Sequence, residues 1–411
     1  MIIGVAAETR TGERRVALVP STVPVLTKAG HQVVVQAGAG AAAGFPDGVY
    51  AEHGARVVPA RDEVFAAADA VVQVLCYSTA NEPGRRDLGA LRRGQVLAGL
   101  MDPLASPETV PAIAATGAAA FAMELVPRIT RAQSMDALSA MATVGGYKAV
   151  LLAADALPRM FPMLTTAAGT ITPARVFVIG AGVMGLQAIA TARRLGATVS
   201  AYDVRPAARE EAISVGARFV ELPLDTAQTQ DTRGYARSQD ESFYRRQREL
   251  LARTVAQSDV VITTAAVPGK RAPVLVTAEM VAAMPPGSVI VDCAADHGGN
   301  CESSHPGETA QVGGVTIVAP LQLPGLVPTH ASQLYGRTLA AFLLHMSAGK
   351  ELKIDPADEI VRETLVTHGG EIVQPRVRDA LGLPSLTAPA APSGGVRAPA
   401  TPPASGNGGG A

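Results

Sequence analysis

Short apolar runs alternate with helical stretches from the first residues to about residue 380. Runs rich in Val, Ile, Ala and Leu occupy 2–6, 32–36, 70–75, 95–100 and 118–122, bounded by Gly, Pro or polar residues, which is the pattern of buried strands. Between them lie segments of helical period, for instance 22–29, closed by Gly30 as a C-cap. The strand pattern resumes at 175–179, 198–202, 260–264, 288–292 and 316–319. Two longer helices connect the two sets. One covers 136–160, with Ala137, Leu138, Met141, Val144, Tyr147, Val150 and Leu151 on one side and Pro158 and Pro162 ending it. The other covers 332–348 and would carry the chain back.

At 175–185 an apolar strand runs straight into Gly-x-Gly-x-x-Gly, and a helix and a second strand ending at Asp203 follow. That is the context a dinucleotide fingerprint requires. Gly180 allows the tight turn, Gly182 lets the backbone approach a pyrophosphate, and Gly185 lets the helix lie close on the strand. The helix N-terminus presents N–H groups and positive dipole to phosphates. Asp203 can accept from both ribose hydroxyls and would repel a 2′-phosphate, which favours NAD over NADP; Arg205 weakens that preference. The fold class that follows is α/β, with two Rossmann-like doubly wound parallel-sheet domains and the dinucleotide in the cleft between them. The first domain is discontinuous, 1–137 with 327–384, and the second is 138–326.

Two stretches break the rhythm. Residues 225–248 begin polar and aperiodic, and a loop of this length inside a compact domain reads as a mobile flap with Tyr235 at its tip, or as a solvated insertion. Residues 385–411 are dominated by Ala, Pro, Gly and Ser and are expected to be disordered.

Composition narrows the function classes. Apolar residues make up 48% of the 411 residues, aromatics only 4%, and Trp is absent, so the cores are built of small aliphatic side chains. A net charge of −1 gives no basic surplus for nucleic acid. Cys76, Cys293 and Cys301 are far apart and form no C-x-x-C, which argues against a disulfide or zinc framework. The N-terminus lacks a signal-peptide layout, and the apolar-leaning run 109–123 is too short to span a bilayer, so a cytoplasmic protein is expected, at a membrane only through partners.

The most polar stretch near the domain junction is 126–139, with Arg128, Arg131, Gln133, Ser134, Asp136 and Ser139. Asp136 and Ser139 share a helix face once the helix has begun. Such a cluster could hold a nicotinamide carboxamide; alternatively it is a helix cap, with Ser134 at the N-cap, and solvated charges. The run 292–302 carries Cys, His, Asp and Glu after a strand, but its spacing fits no zinc template, and the expected role is a backbone turn near the cofactor. Thr263 to Gly269 is a further strand end, placed to meet the adenosine half.

Several motifs together resemble one family. Glu-Arg-Arg-Val-Ala-Leu-Val-Pro at 13–20 resembles the alanine dehydrogenase and transhydrogenase superfamily. Pro-Arg-Ile-Thr-Arg-Ala-Gln-Ser-Met-Asp at 127–136, Gly-Tyr-Ala at 234–236, Pro-Gly-Lys-Arg-Ala-Pro at 268–273, Gly-Gly-Asn-Cys-Glu at 298–302 and Ser-Gln-Leu-Tyr-Gly at 332–336 resemble the NAD(H)-binding component of proton-translocating NAD(P) transhydrogenases. The resemblance implies that Arg128, Gln133, Asp136 and Ser139 surround the nicotinamide. It implies that Val183, Met184, Asp203, Val204, Arg205, Thr264, Ala265 and Ala266 line the cofactor beside Gly180, Gly182 and Gly185, and that Gly234 and Tyr235 close over it. Gln239 and Ala266 depart from the residues usual there, Met and Leu. The resemblance further implies a homodimer, an NADP-binding beta subunit and a membrane-spanning subunit as partners, and direct hydride transfer coupled to proton translocation in the membrane partner.

Two other readings stay open. L-Alanine dehydrogenase shares the superfamily, but its reaction needs a general acid/base near the ends of the strands at 70–76 and 95–101, and neither Lys nor His stands there. Arg15, a candidate carboxylate anchor, remains. The third reading is a non-catalytic NAD-binding regulator, against which the polar cluster at 128–139 argues.

Overall fold

The computed structural model describes residues 1–76, 82–224, 229, 236–267, 269–349 and 351–386. The first apolar runs form β1 (Ile2–Val5), β2 (Gln32–Gln36), β3 (Arg56–Val58), β4 (Ala70–Leu75), β5 (Val96–Leu100) and β6 (Ala119–Ala122). A small hairpin follows, β7 (Leu164–Thr166) with β8 (Gly169–Ile171). The second set comprises β9 (Arg175–Ile179), β10 (Thr198–Tyr202), β11 (Arg218–Phe219), β12 (Val260–Thr263), β13 (Val289–Asp292), β14 (Thr309–Val312) and β15 (Val315–Val318). Near the C-terminus come the two-residue strands β16 (Ser347–Ala348) and β17 (Glu351–Leu352), then β18 (Leu365–His368) and β19 (Glu371–Ile372).

Two sheets result. One has the order β19-β18-β6-β5-β4-β1-β2-β3, the other β11-β10-β9-β12-β13-β15-β14. In each, the first strand lies centrally and the chain winds outward both ways, the doubly wound order of a dinucleotide fold. Most neighbours are parallel. β14 runs antiparallel to β15, β18 antiparallel to β6, and β19 antiparallel to β18. These three strands depart from the all-parallel expectation. Each lies at or next to a sheet edge, where a short return is enough to add an antiparallel strand.

The helix Ala137–Ala156 joins the two halves. Ala137, Met141 and Val144 lie in the first core, and Ala149, Val150 and Ala153 in the second. Among the described residues it is the helix long and apolar enough for a membrane span, at a mean hydropathy of 1.4, which the run at 109–123 is not. Its apolar character serves two cores instead. Tyr147, expected on the apolar side, is 42% exposed. The helix lies on Val183–Arg194 through glycine: a Cβ on Gly146 would stand 2.1 Å from the Met184 carbonyl oxygen, and one on Gly145 2.8 Å from the Met184 Cε. The helix cap is Asp136, whose carboxylate accepts from the Ser139 N–H, rather than Ser134, which sits inside the preceding 3-10 turn Thr130–Met135.

Candidate functional site

The cleft opens where the second sheet reverses its order, between β9 and β12. Open α/β sheets bind ligands at such a switch point. At the end of β9, Gly180 takes φ +100° and donates its N–H to the Tyr202 carbonyl at 2.8 Å. A Cβ on Gly180 would meet Thr264 Oγ1 at 2.6 Å, and one on Gly185 would meet the Gly180 oxygen at 1.8 Å. The turn and the helix after it can close this tightly only without side chains. Gly182 is the N-cap of Val183–Arg194 and no side chain caps that helix, so its first-turn N–H groups face the cleft unclaimed by a capping oxygen. On the other side, Thr264 donates its N–H to the Ile179 oxygen at 2.8 Å and its hydroxyl to the Gly180 oxygen at 2.9 Å, tying β12 to the turn.

The cleft has a volume of about 720 Å³. Gly180, Gly182, Val183, Met184, Asp203, Val204, Arg205, Thr264, Ala265 and Ala266 all line it, and Arg128 and Ser139 line it from the interdomain side. Gln133 and Asp136 do not: Gln133 is exposed, and the Asp136 carboxylate is held by the Ser139 N–H at 2.8 Å and the Ser139 hydroxyl at 2.6 Å. Gly185 is buried beneath the turn. Gly234 and Tyr235 lie outside the described residues. Arg131 faces away from the cleft, pairing with Asp358 at 2.7 Å.

Asp203 is engaged on both oxygens. Oδ2 accepts the Ala181 N–H at 2.7 Å and Arg205 Nη2 at 2.9 Å; Oδ1 accepts the Arg205 N–H at 2.8 Å and its Nε at 3.0 Å. The run 292–302 is a buried turn. Asp292, with no exposed surface, accepts the N–H groups of Ala294, Asn300 and Cys301 and the hydroxyls of Thr263 and Ser304. Asn300 in turn brackets the strand-end loop, accepting from the Ala265 N–H at 3.0 Å and donating to the Ala265 and Pro273 oxygens at 2.9 and 2.8 Å. Burial pushes the Cys301 thiol up to about 12, and that of Cys293 higher still, so neither is a ready thiolate. Among the described residues no three His, Cys, Asp or Glu side chains gather as for a metal.

Contacts across the cleft tie the two halves. Arg15, paired with the Glu13 carboxylate at 2.6 and 2.8 Å, also donates to Gln322 Oε1 at 2.8 Å. Gln322 donates its N–H to Asp296 at 2.9 Å, Arg10 reaches Asp296 at 3.7 Å, and His297 lies 3.9 Å from Asp102. Asp102 and Gln322 are, among the described non-glycine residues, the two with positive φ. Both sit in these contacts, so backbone strain is concentrated at the mouth of the cleft.

The sequence reading missed Gln247. It lines the cleft, is 3% exposed, donates to the Tyr202 hydroxyl at 3.0 Å, and has a buried Oε1 without a partner in the protein. A buried acceptor facing a cleft and lacking a donor fits a ligand that brings one. The clue was in the sequence: Gln247 shares the i, i+4, i+8 stripe of Glu241–Ala256 with the buried Leu251 and Val255. Open turn, uncapped helix end, acidic strand tip and orphaned acceptor together fit a dinucleotide.

Comparison with known proteins agrees with this geometry. Residues 4–145 match the domain family described as alanine dehydrogenase/PNT, N-terminal domain, and residues 149–375 match alanine dehydrogenase/PNT, C-terminal domain. The chain is 43% identical over 378 residues to the first of the chains that make up the NAD(P) transhydrogenase alpha subunit of Rhodospirillum rubrum, covering 91% of this chain and 98% of that protein. It is 30% identical over 391 residues to alanine dehydrogenase of Mycolicibacterium smegmatis, covering 93% and 98%. The crystal structure of transhydrogenase from Sinorhizobium meliloti superposes with a TM-score of 0.81 at 44% identity, over 91% of this chain and all of that one.

Proposed function

This chain belongs to the alanine dehydrogenase/PNT family, and from that premise we propose that it is the NAD(H)-binding alpha component of a proton-translocating NAD(P) transhydrogenase. We assign the cofactor to the cleft at the end of β9, with the pyrophosphate on the turn at Gly182 and the adenosine ribose at Asp203. The nicotinamide lies toward Arg128 and Ser139, with Asp136 holding Ser139 in place; the exposed Gln133 reaches it only when its side chain turns into the cleft. Gly234 and Tyr235 complete the site in this proposal. The domain limits 1–137 with 327–384 and 138–326 are part of the same assignment.

When bound, the nicotinamide supplies a hydride from C4, passed directly to NADP held by a partner beta subunit. The chain binds and orients the cofactor and excludes water, and no proton need move to either ring. Proton translocation belongs to a membrane-spanning partner, which also holds this chain at the membrane. A second copy of the chain is proposed as a further partner. The β7–β8 hairpin is exposed along its whole length, with Met163, Leu164 and Ile171 uncovered, which suits a homodimer contact.

The observation that carries the hydride-transfer reading is what stands at the ends of β4 and β5. Cys76 and Met101 are buried there, burial pushes the Cys76 thiol well above its ordinary value, and Glu8 and Glu124, which accept from the backbone of these strand ends, do not line the cleft, so no proton carrier faces the cofactor from either strand end. His297 in the cleft is the observation that favours the alanine dehydrogenase alternative. One experiment separates the two. The purified chain is mixed with an NADP-binding partner domain and NADH, and reduction of an NADP analogue is followed by absorbance. Transfer is expected, and its absence would sink the proposal. Robust L-alanine-dependent NAD reduction by the chain alone would move the assignment to the dehydrogenase.

A further inference from the structure

We propose that Arg205 sets the selectivity of this cleft between NAD(H) and NADP(H), by competing with the ribose diol for Asp203 and by offering a cation to a 2′-phosphate. The proposal rests on the dinucleotide reading of the cleft. An ionised carboxylate has about four acceptor positions. On Asp203 two are taken by main-chain N–H groups, from Ala181 at 2.7 Å and Arg205 at 2.8 Å, which hold the strand tip in shape. The other two are taken by the Arg205 guanidinium, Nε on Oδ1 at 3.0 Å and Nη2 on Oδ2 at 2.9 Å. A ribose diol needs two acceptors, and those under the guanidinium are the ones a ligand can claim. The side chain also lies toward the phosphate turn, with Nη2 3.7 Å from where a Cβ on Gly182 would stand. The ribose therefore takes its seat as the fork leaves.

The same pair alters the rejection of a phosphate. An acidic strand tip excludes NADP by charge, and a nearby arginine accommodates the 2′-phosphate. Here both stand within two residues, with side chains 16% and 6% exposed for Arg205 and Asp203, so water screens their interaction little. Asp203 thus presents a neutralised face to an incoming phosphate, and the guanidinium, once displaced, is a bidentate phosphate donor. Asp203 alone would discriminate more sharply than the pair.

The test uses the full chain as wild type, Arg205→Met and Arg205→Lys. Dissociation constants for NADH and NADPH are measured by nicotinamide fluorescence at one ionic strength. Arg205→Met removes both competitor and cation. NADH is expected to tighten and NADPH to weaken, so that the ratio of the two constants rises by about tenfold or more, the scale of one charge-assisted contact. Arg205→Lys keeps a cation without the planar fork. NADH should tighten, and the ratio should rise less than in the Met variant. A structural role alone would weaken both nucleotides by the same factor; that outcome, or an unchanged ratio, overturns the proposal. Wild-type protein that binds neither nucleotide would remove the site itself and the proposal with it.

Discussion

The two sheets share one winding order and differ in what crosses their switch points. In the second sheet the chain leaves β9 through Gly180 and turns away, leaving a cleft beneath the helix N-terminus. In the first sheet the chain leaves β1 through Ala6, Ala7 and Glu8, with no glycine. The Glu8 carboxylate then closes the gap, accepting the Val74 N–H at 2.7 Å and the Leu75 N–H at 3.1 Å from β4. Tyr335, from the helix Pro328–His345, seals the same place from behind by donating its hydroxyl to the Gln73 oxygen at 2.9 Å. One topology thus gives an open site and a plugged one, decided by a few residues after the first strand. Function resides in the turn rather than in the strand order.

The contrast can be broken most severely at Gly185. In Gly185→Ala the new methyl would stand 1.8 Å from the Gly180 oxygen, and backbone on both sides must shift. We expect a loss of about 3 kcal/mol in stability and NADH binding weakened by at least about a hundredfold, measured by thermal melting and fluorescence titration. Wild-type affinity in this variant would show that the glycine turn is not what separates the two sheets. A smaller effect is expected at Asn300, whose side chain ties Ala265 to Pro273. Asn300→Ala should cost about 2 kcal/mol through the unpaired buried groups and weaken NADH by roughly tenfold. Loss of stability with unchanged affinity would separate the turn behind the cleft from the cleft itself.

The smallest effect concerns the plug. Loss of solvation pushes Glu8 from its ordinary 4.5 up to about 8, so between those values the folded chain holds a proton that the unfolded chain has released. Stability contributed at Glu8 therefore falls as pH rises from about 4.5 to 8 and is level above. In Glu8→Gln that fall is absent. The melting temperature of the variant should gain on wild type by ~2–4 °C from pH 5.5 to pH 8.5. A gap independent of pH would mean that Glu8 is ionised throughout and that the plug is a charged one. Glu124, raised to about 7 by burial, contributes a slope of the same sign in both proteins and does not disturb the comparison.

The parallel core was legible because its strands are buried on both faces and read as unbroken apolar runs. The interior of β2, Val33 to Val35, and that of β13, Val289 to Val291, illustrate this. The edge strands were not. Thr309–Val312 alternates half-buried with exposed residues, and β18 and β19 are four and two residues long, below what periodicity can resolve. At the site, the glycine spacing and Asp203 were readable because each occupies a fixed offset from a strand. Spacing could say nothing of how Asp203 is occupied, since its partner Arg205 is set by side-chain packing. The buried stripe of its helix marks Gln247 as inward-facing, but its partner Tyr202 stands more than forty residues earlier, a distance that no local pattern spans. The exposure of Tyr147 follows from Gly145 and Gly146, which turn their own face of the helix against Met184.

The antiparallel return of β18 onto β6 also has a meaning in time. Residues 365–368, which cover the β6 edge, are synthesised roughly 240 residues after β6 itself. At ordinary elongation rates of about 5–20 residues per second, that edge waits about 12–50 s on the ribosome while the whole second sheet is made. An apolar strand with free N–H and C=O groups is a template for other chains during that interval. Until the C-terminal segment arrives, the β6 edge lacks the strand that pairs with it in the finished fold.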